Sequence, residues 1–305
     1  MDRDLRPGTV PGRRRLPLAW LVVVPFFVYA LFFLFLPAAQ VMVGALQGDH
    51  GGYTLHHLGQ IVHTSDLRAD YVGSIRLSFE TALAGAVLGF LIAYAAIREG
   101  TPRWVRSAFT TFSGVAANFG GIPLAFAFIA TIGNIGIVTQ FLQNQLHFNI
   151  YQWTPPWPFN DTPFAIYRPI GVVVTYLYFQ IPLMLLVIAP AIDGLKREWR
   201  EASSNLGASS WQYWRHIAFP VLFPSLLSSG ILLFGNAFAA YATAYALTTG
   251  TGLPLVPIQI GNDLSGNVAF NPHEGQALAF GMFIVLAVMM LVYIPLQRIS
   301  SRWAK

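Results

Sequence analysis

No charged residue occurs between Arg15 and Asp49, and that interval is dominated by Leu, Val, Phe and Ala. The first apolar run covers about residues 17–46, and five others follow at about 77–97, 108–132, 170–192, 221–247 and 277–296. A helix crossing a hydrocarbon core of about 30 Å needs roughly 20 apolar residues. The pattern therefore predicts an all-α membrane protein with six transmembrane helices. It divides the chain into a tail (1–16), a membrane domain (17–297) whose polar segment 193–220 interrupts the runs, and a second tail (298–305).

Composition strengthens that reading. Of the 305 residues, 55% are hydrophobic and only 10% charged, with a mean hydropathy of +0.54. A soluble domain carries roughly 25% charged residues, so a water-exposed coat and disorder are both excluded. Cysteine is absent, which removes disulfide frameworks and thiolate metal sites. Arg13-Arg14-Arg15 before an apolar stretch resembles a secretory signal. The stretch is too long for one, however, and Pro37-Ala38-Ala39-Gln40 is a poor cleavage site, so retention is expected.

The net charge of +5 could suggest nucleic acid, but the placement of the cations argues for membrane orientation. Fifteen of the 18 Lys and Arg fall in the N-terminal tail, the loops after spans two and four, and the C-terminal tail. Basic residues near membrane ends favour the cytoplasm. Both termini are expected there.

The loop between spans four and five carries the most specific pattern. No Gly or Pro interrupts Leu195 to Leu206, and Gly207 stands where a helix could end in a left-handed conformation. Ser209 and Gln212 have the spacing of a capping box. Trp211, Trp214 and Ile217 then recur at near-helical spacing before Phe219-Pro220, where the element is expected to end. The prediction is a rigid helix pair whose small residues Ala202, Ser203 and Ala208 could let it enter a groove on another protein. Periodicity alone also allows an amphipathic helix lying on the membrane.

This segment resembles the EAA motif of ABC-importer permeases. Glu201, Ala202, Gly207, Ile217 and Pro220 match it in spacing, while Ser203 replaces an Ala and Phe219 a Leu. Residues 236–250 (NAFAAYATAYALTTG), 118–126 (NFGGIPLAF) and Tyr53-Thr54-Leu55 are similar to the spermidine/putrescine-type branch. The resemblance implies a type I importer permease fold in a bacterial inner membrane. It also implies docking of the loop, through Glu201, Ala202, Ser203, Gly207, Ala208, Ile217 and Pro220, on a separate ABC ATPase dimer. Glu201 would contact the ATPase surface and Gly207 would form the bend. A second permease, usually a different chain in that branch, and an extracytoplasmic solute-binding protein would complete the assembly. The cargo would be a polyamine or another small solute.

The chain lacks the means to hydrolyse ATP itself. Its two lysines, Lys196 and Lys305, follow no glycine, so there is no P-loop. No G-x-S-x-G or H-E-x-x-H occurs either, and no catalytic residue is assigned. No cofactor is expected on this chain; ATP and Mg would be bound by the partner ATPase. His56, His57 and His63 read as solvated loop histidines rather than a metal site.

In-span polar residues are candidates for a solute pathway: Glu80, Asn118, Gln180, Asn236, Tyr241 and Tyr245. Intramembrane charge usually faces the bundle interior or a cavity, so Glu80 could attract a cation. Alternatively, it pairs with Arg76 one turn away. Gly114, Gly120, Gly121 and Gly133 are read as close-packing positions. The outer segment 134–168 opens with helical apolar spacing, expected along the membrane surface, and continues with aromatics between prolines, expected as interfacial anchors and a docking face. A secondary transporter is the alternative, but six spans without an internal repeat fit it poorly.

Overall fold

The computed structural model describes residues 19–48, 52–97, 101–154, 163–248, 253–265 and 272–303. The helices are α1 (Ala19–Ala30), α2 (Leu36–Gly44), α3 (His56–His63), α4 (Ser65–Ile97), α5 (Arg103–Ala116), α6 (Gly121–Ile132) and α7 (Ile137–Leu146). They continue with α8 (Pro169–Asp193), α9 (Arg197–Asn205), α10 (Ser210–Tyr213), α11 (Phe219–Phe238), α12 (Ala242–Thr248), α13 (Val256–Ser265) and α14 (Pro272–Trp303). Among the described residues six helical stretches are long and apolar enough to cross a membrane: Val23–Gly44, Ser65–Ile97, Gly121–Leu146, Pro169–Asp193, Ser210–Phe238 and Pro272–Pro295. No strand occurs among the described residues.

The core is built on α4 and α8. Adding a Cβ to Gly85 would place it 2.8 Å from Cβ of Gln180, and at Gly89 2.6 Å from Cβ of Met184. Without side chains there, the two helices approach closely enough for dispersion contacts along their length. Met184, Leu185, Ile188, Leu222, Leu233 and Phe238 then bury a core shared with α11 and α14. The packing glycines are thus not those expected from sequence. Gly114 and Gly120 face open space, Gly121 has φ +74°, and a Cβ on Gly133 would meet the carbonyl of Ile129 in its own chain turn.

Two π-helical turns, Leu31–Phe35 and Trp214–Ala218, each end two residues before a proline, Pro37 and Pro220. Their closing bonds run from the Leu36 N–H to the Leu31 carbonyl and from the Phe219 N–H to the Trp214 carbonyl. A proline lacks the N–H that continues an α-helical ladder and crowds the preceding turn. The wider turn takes up that mismatch. Pro220 therefore does not end the element, contrary to the expectation from sequence. The helix runs on through it from Ser210 to Phe238.

Two apolar runs differ from single straight spans. The run 108–132 breaks after Ala116, leaving α5 amphipathic and α6 apolar, and the span-length stretch is instead Gly121–Leu146. The segment Ile137–Leu146, expected along the membrane surface, is a separate helix that follows α6 after a break at 133–136. The run 221–247 breaks between Phe238 and Ala242. The second span begins at Ser65, a full twelve residues before the apolar run does. The first and last spans contribute little to the interior, and Phe32, Phe33, Leu291 and Ile294 face outward.

Candidate functional site

The polar segment after α8 folds as the sequence pattern requires. Helix α9 ends at Asn205, and Gly207 adopts φ +77°. The Ala208 N–H donates to the Ser203 carbonyl at 3.0 Å, and the Gly207 N–H to the Ser204 carbonyl at 3.0 Å. Those two bonds satisfy carbonyls that the helix end would leave orphaned. Ser209 then opens α10 as a capping box: its Oγ accepts from the Gln212 N–H at 3.3 Å, and its own N–H donates to Gln212 Oε1 at 2.7 Å.

Five of the seven predicted coupling residues, Ala202, Ser203, Ala208, Ile217 and Pro220, line one groove of about 590 Å³. Its exposed lining is almost wholly apolar, with Leu206 at its edge 87% exposed. Glu201 and Gly207 lie outside the groove. Glu201 points outward and accepts from Arg197 Nε at 2.8 Å. Trp211, on the same segment, is 72% exposed. By contrast, Trp214 is held against the bundle, its ring 4.8 Å from that of Tyr94. The segment is thus anchored on one side and presents unpartnered apolar surface on the other.

Four of the six candidate pathway residues, Asn118, Asn236, Tyr241 and Tyr245, lie around two helix breaks. The break before α6 and the break before α12 meet, because the Gly121 N–H donates to Thr243 Oγ1 at 2.8 Å. Tyr176 supports the second break by donating its hydroxyl to the Ala240 carbonyl at 2.8 Å. Asn118 lies within the first break and bonds back to the Gly114 carbonyl at 2.9 Å. Tyr241 and Tyr245 flank Thr243 with ring centroids 5.3 Å apart. Asn236 lies one turn before the second break and is exposed. Gln180 is not at the breaks: it is fully buried, with Nε2 donating to the Leu233 carbonyl at 2.8 Å and Oε1 unpartnered. Glu80 pairs with Arg76 Nε at 2.8 Å. Thr243 and Tyr176 escaped the sequence reading because each acts through a backbone group brought near only by folding.

Helix α4 connects two pockets of opposite character. At its N-terminal end, Asp66, Asp70, Tyr245, Thr248, Gln259 and Asn262 help line a pocket of about 650 Å³ with no Lys or Arg among the described residues of its wall. Near its C-terminal end the first turn of α5 meets the end of α8, where Arg106 Nη2 pairs with Asp193. The two basic loops assigned to one side from sequence therefore share one end of the bundle. The histidines differ from expectation: they lie on helix α3, His57 is buried, and its ring stacks 5.9 Å from that of His273. Among the described residues no group of three His, Cys, Asp or Glu could hold a metal ion.

Residues 159–305 match the family described as binding-protein-dependent transport system inner membrane component. The structure superimposes on a chain of a bacterial ABC transporter that imports alginate with a TM-score of 0.64, at 17% identity, covering 94% of this chain and 96% of that one. The chain carries an ABC importer permease fold. A methionine ABC transporter, MetNI, is similar at TM-score 0.52 and 14% identity over 78% of this chain and 97% of its own. In sequence, this chain resembles the probable sulfate transport system permease protein cysT of Marchantia polymorpha, 23% identical over 71% of this chain and 70% of that protein. It also resembles the trehalose transport system permease protein SugB of Mycobacterium tuberculosis, 23% identical over 75% and 73%. These relatives are sulfate and sugar permeases, so the spermidine/putrescine-type branch expected from sequence gains no support from them.

Proposed function

We propose that this chain is a non-catalytic permease subunit of a bacterial ABC importer, resident in the inner membrane with both termini cytoplasmic. A separate ABC ATPase dimer, binding ATP and Mg, docks on residues 201–220 and drives the change between inward-facing and outward-facing states. The observation that carries this reading is the apolar groove formed by Ala202, Ser203, Ala208, Ile217 and Pro220 beside an outward-pointing Glu201. An unpartnered apolar surface on a segment pinned to the bundle by Trp214 suits a protein partner better than water. The alginate, methionine and sulfate systems named above support it by fold and family.

A second permease, of different sequence, supplies the other half of the solute path, and a solute-binding protein docks at the opposite face. The residues Trp157 and Phe159, part of the expected docking face, lie outside the described residues. The cargo is a small solute. The polyamine reading rests on the sequence resemblance and on the wall of the pocket at Asp66 and Asp70, which suits a cation over an anion.

Co-purification tests the central claim. The tagged permease should retain a P-loop ATPase co-expressed from its neighbourhood, and Gly207→Glu should release it while the permease still elutes as a folded species. Equal retention by both proteins, or none by the parent, refutes it. Screening the neighbouring binding protein against polyamines, sulfate and sugars decides the cargo.

A further inference from the structure

At the end of the bundle opposite Asp66, a cavity of about 550 Å³ opens between the last turns of α4 and α8, the first turn of α5, and the α9–α10 segment. Five cations line it: Arg103 and Arg106 from α5, and Lys196, Arg197 and Arg200 from around α9. Among the described residues the single acid in its wall is Asp193, already paired with Arg106. Arg197 is engaged with Glu201 at 2.8 Å, and Lys196 lies over the Trp199 ring at 5.8 Å. Arg103 and Arg200 have no ion-pair partner among the described residues.

A basic face at a membrane edge is expected from orientation alone. Orientation does not require the cations to converge. Here they come from separate segments and surround a concave space in which the one acid among the described residues is already paired, so their like charges raise the potential inside it. The floor includes Ile97 and Ile192, the last apolar positions of two membrane-spanning helices. Ser210 and Tyr213 add hydroxyls to the wall. Guanidinium groups bind phosphate oxygens through paired N–H donors, and a phosphate would relieve the repulsion between them.

We propose that this cavity is a phosphate-anion site. Its ligand bridges Arg103 on α5 and Arg200 on α9, tying the base of the coupling segment to the membrane bundle. The phosphate could belong to an acidic phospholipid headgroup or to a soluble phosphate compound, since the recognition chemistry is the same. The proposal stands on the cavity itself and does not depend on the ATPase reading.

The test uses the full chain in nanodiscs of phosphatidylcholine, with or without cardiolipin, and in detergent with inorganic phosphate or pyrophosphate. Native mass spectrometry reads bound lipid, and thermal unfolding reads protection. If a headgroup is the ligand, the parent retains cardiolipin and gains no protection from millimolar phosphate or pyrophosphate. If a soluble compound is the ligand, these anions protect the chain in detergent and cardiolipin is not selected. In either case Arg103→Gln weakens the effect about tenfold, the loss expected of one charge-assisted contact. Arg103→Lys, which keeps the charge but not the fork, restores it in part. Arg215→Gln, on the same segment but outside the cavity, leaves it intact. Binding of neither ligand by the parent overturns the proposal, as does equal loss in Arg103→Gln and Arg215→Gln.

Discussion

Thr243 and Gly121 exchange hydrogen bonds across two helix breaks that lie 122 positions apart in the chain. The Thr243 hydroxyl accepts from the Gly121 N–H at 2.8 Å and donates to the Gly121 carbonyl at 3.2 Å. Thr243 is buried, and Gly121 has φ +74°. Inside a membrane protein, non-helical backbone is tolerated where protein groups or a wet cavity satisfy it. One side chain here serves both backbone groups of the same residue, and its hydroxyl oxygen satisfies an N–H that a helix N-terminus leaves orphaned.

Replacing Thr243 with Val keeps the shape and removes both bonds. Leaving a buried backbone group unpaired costs about 1–3 kcal/mol. Thermal unfolding in detergent should show the loss, and Thr243→Ser should recover most of it. An unchanged midpoint for Val would show that water or another group already serves Gly121.

The α4–α8 contact gives a second expectation. A Cβ at Gly89 would fall 2.6 Å from Cβ of Met184 and 3.0 Å from the Ile181 carbonyl. Gly89→Ala should destabilise the bundle by about 1–3 kcal/mol through overpacking. Gly230→Ala, where a Cβ would meet nothing within 4 Å, should be neutral or slightly stabilising, since alanine favours the helix. The paired unfolding midpoints check both.

At Gly207 a Cβ would also meet nothing within 4 Å, so any penalty comes from the backbone alone. With φ at +77°, Gly207→Ala should cost about 1–2 kcal/mol, and Gly207→Asn less, because Asn tolerates the left-handed region. If the proposed ATPase docks on this segment, its capture should follow the same order, with Asn retaining more than Ala. The reverse order would mean that the turn geometry does not govern docking.

Glu80 is paired with Arg76, and its side chain is only 13% exposed. If it attracts a cationic cargo, Glu80→Gln should lower transport of that cargo more than Arg76→Gln does. Equal, small effects on uptake would leave the pair a structural one.

Asp263 supplies a pH dependence. Burial raises its carboxyl from 3.8 to about 6, the Glu274 and Asp70 charges add to the rise, and a hydrogen bond from Gln259 opposes it. The folded state therefore binds a proton that the unfolded state has already released between those values. Stability falls as pH rises from about 4 to 6 and is lowest above that window. Unfolding midpoints in detergent should be higher at pH 5 than at pH 7.5, and Asp263→Asn should flatten that difference.

Much of the architecture was legible in the residue pattern because membrane helices are specified locally. Six long apolar runs, separated by basic loops, suffice to count spans, since every backbone group in lipid must be bonded within its own helix. The bend at Gly207 and the Ser209–Gln212 cap were equally readable: both depend on conformations and bonds within a few residues.

The remainder depended on contacts between distant segments. That Gly85 and Gly89, and not Gly114 or Gly120, carry the close helix packing could be seen only once α4 lay on α8. The breaks at 117–120 and 239–241 hide inside apolar runs, because hydropathy does not register where a helix stops. Their pairing through Thr243, and the lining of one cavity by both Arg103 and Arg200, join residues that no local pattern relates. Short-range bonding, written in neighbouring residues, determined which segments become helices. The meeting of side chains far apart in the chain, decided by packing alone, determined where those helices can act.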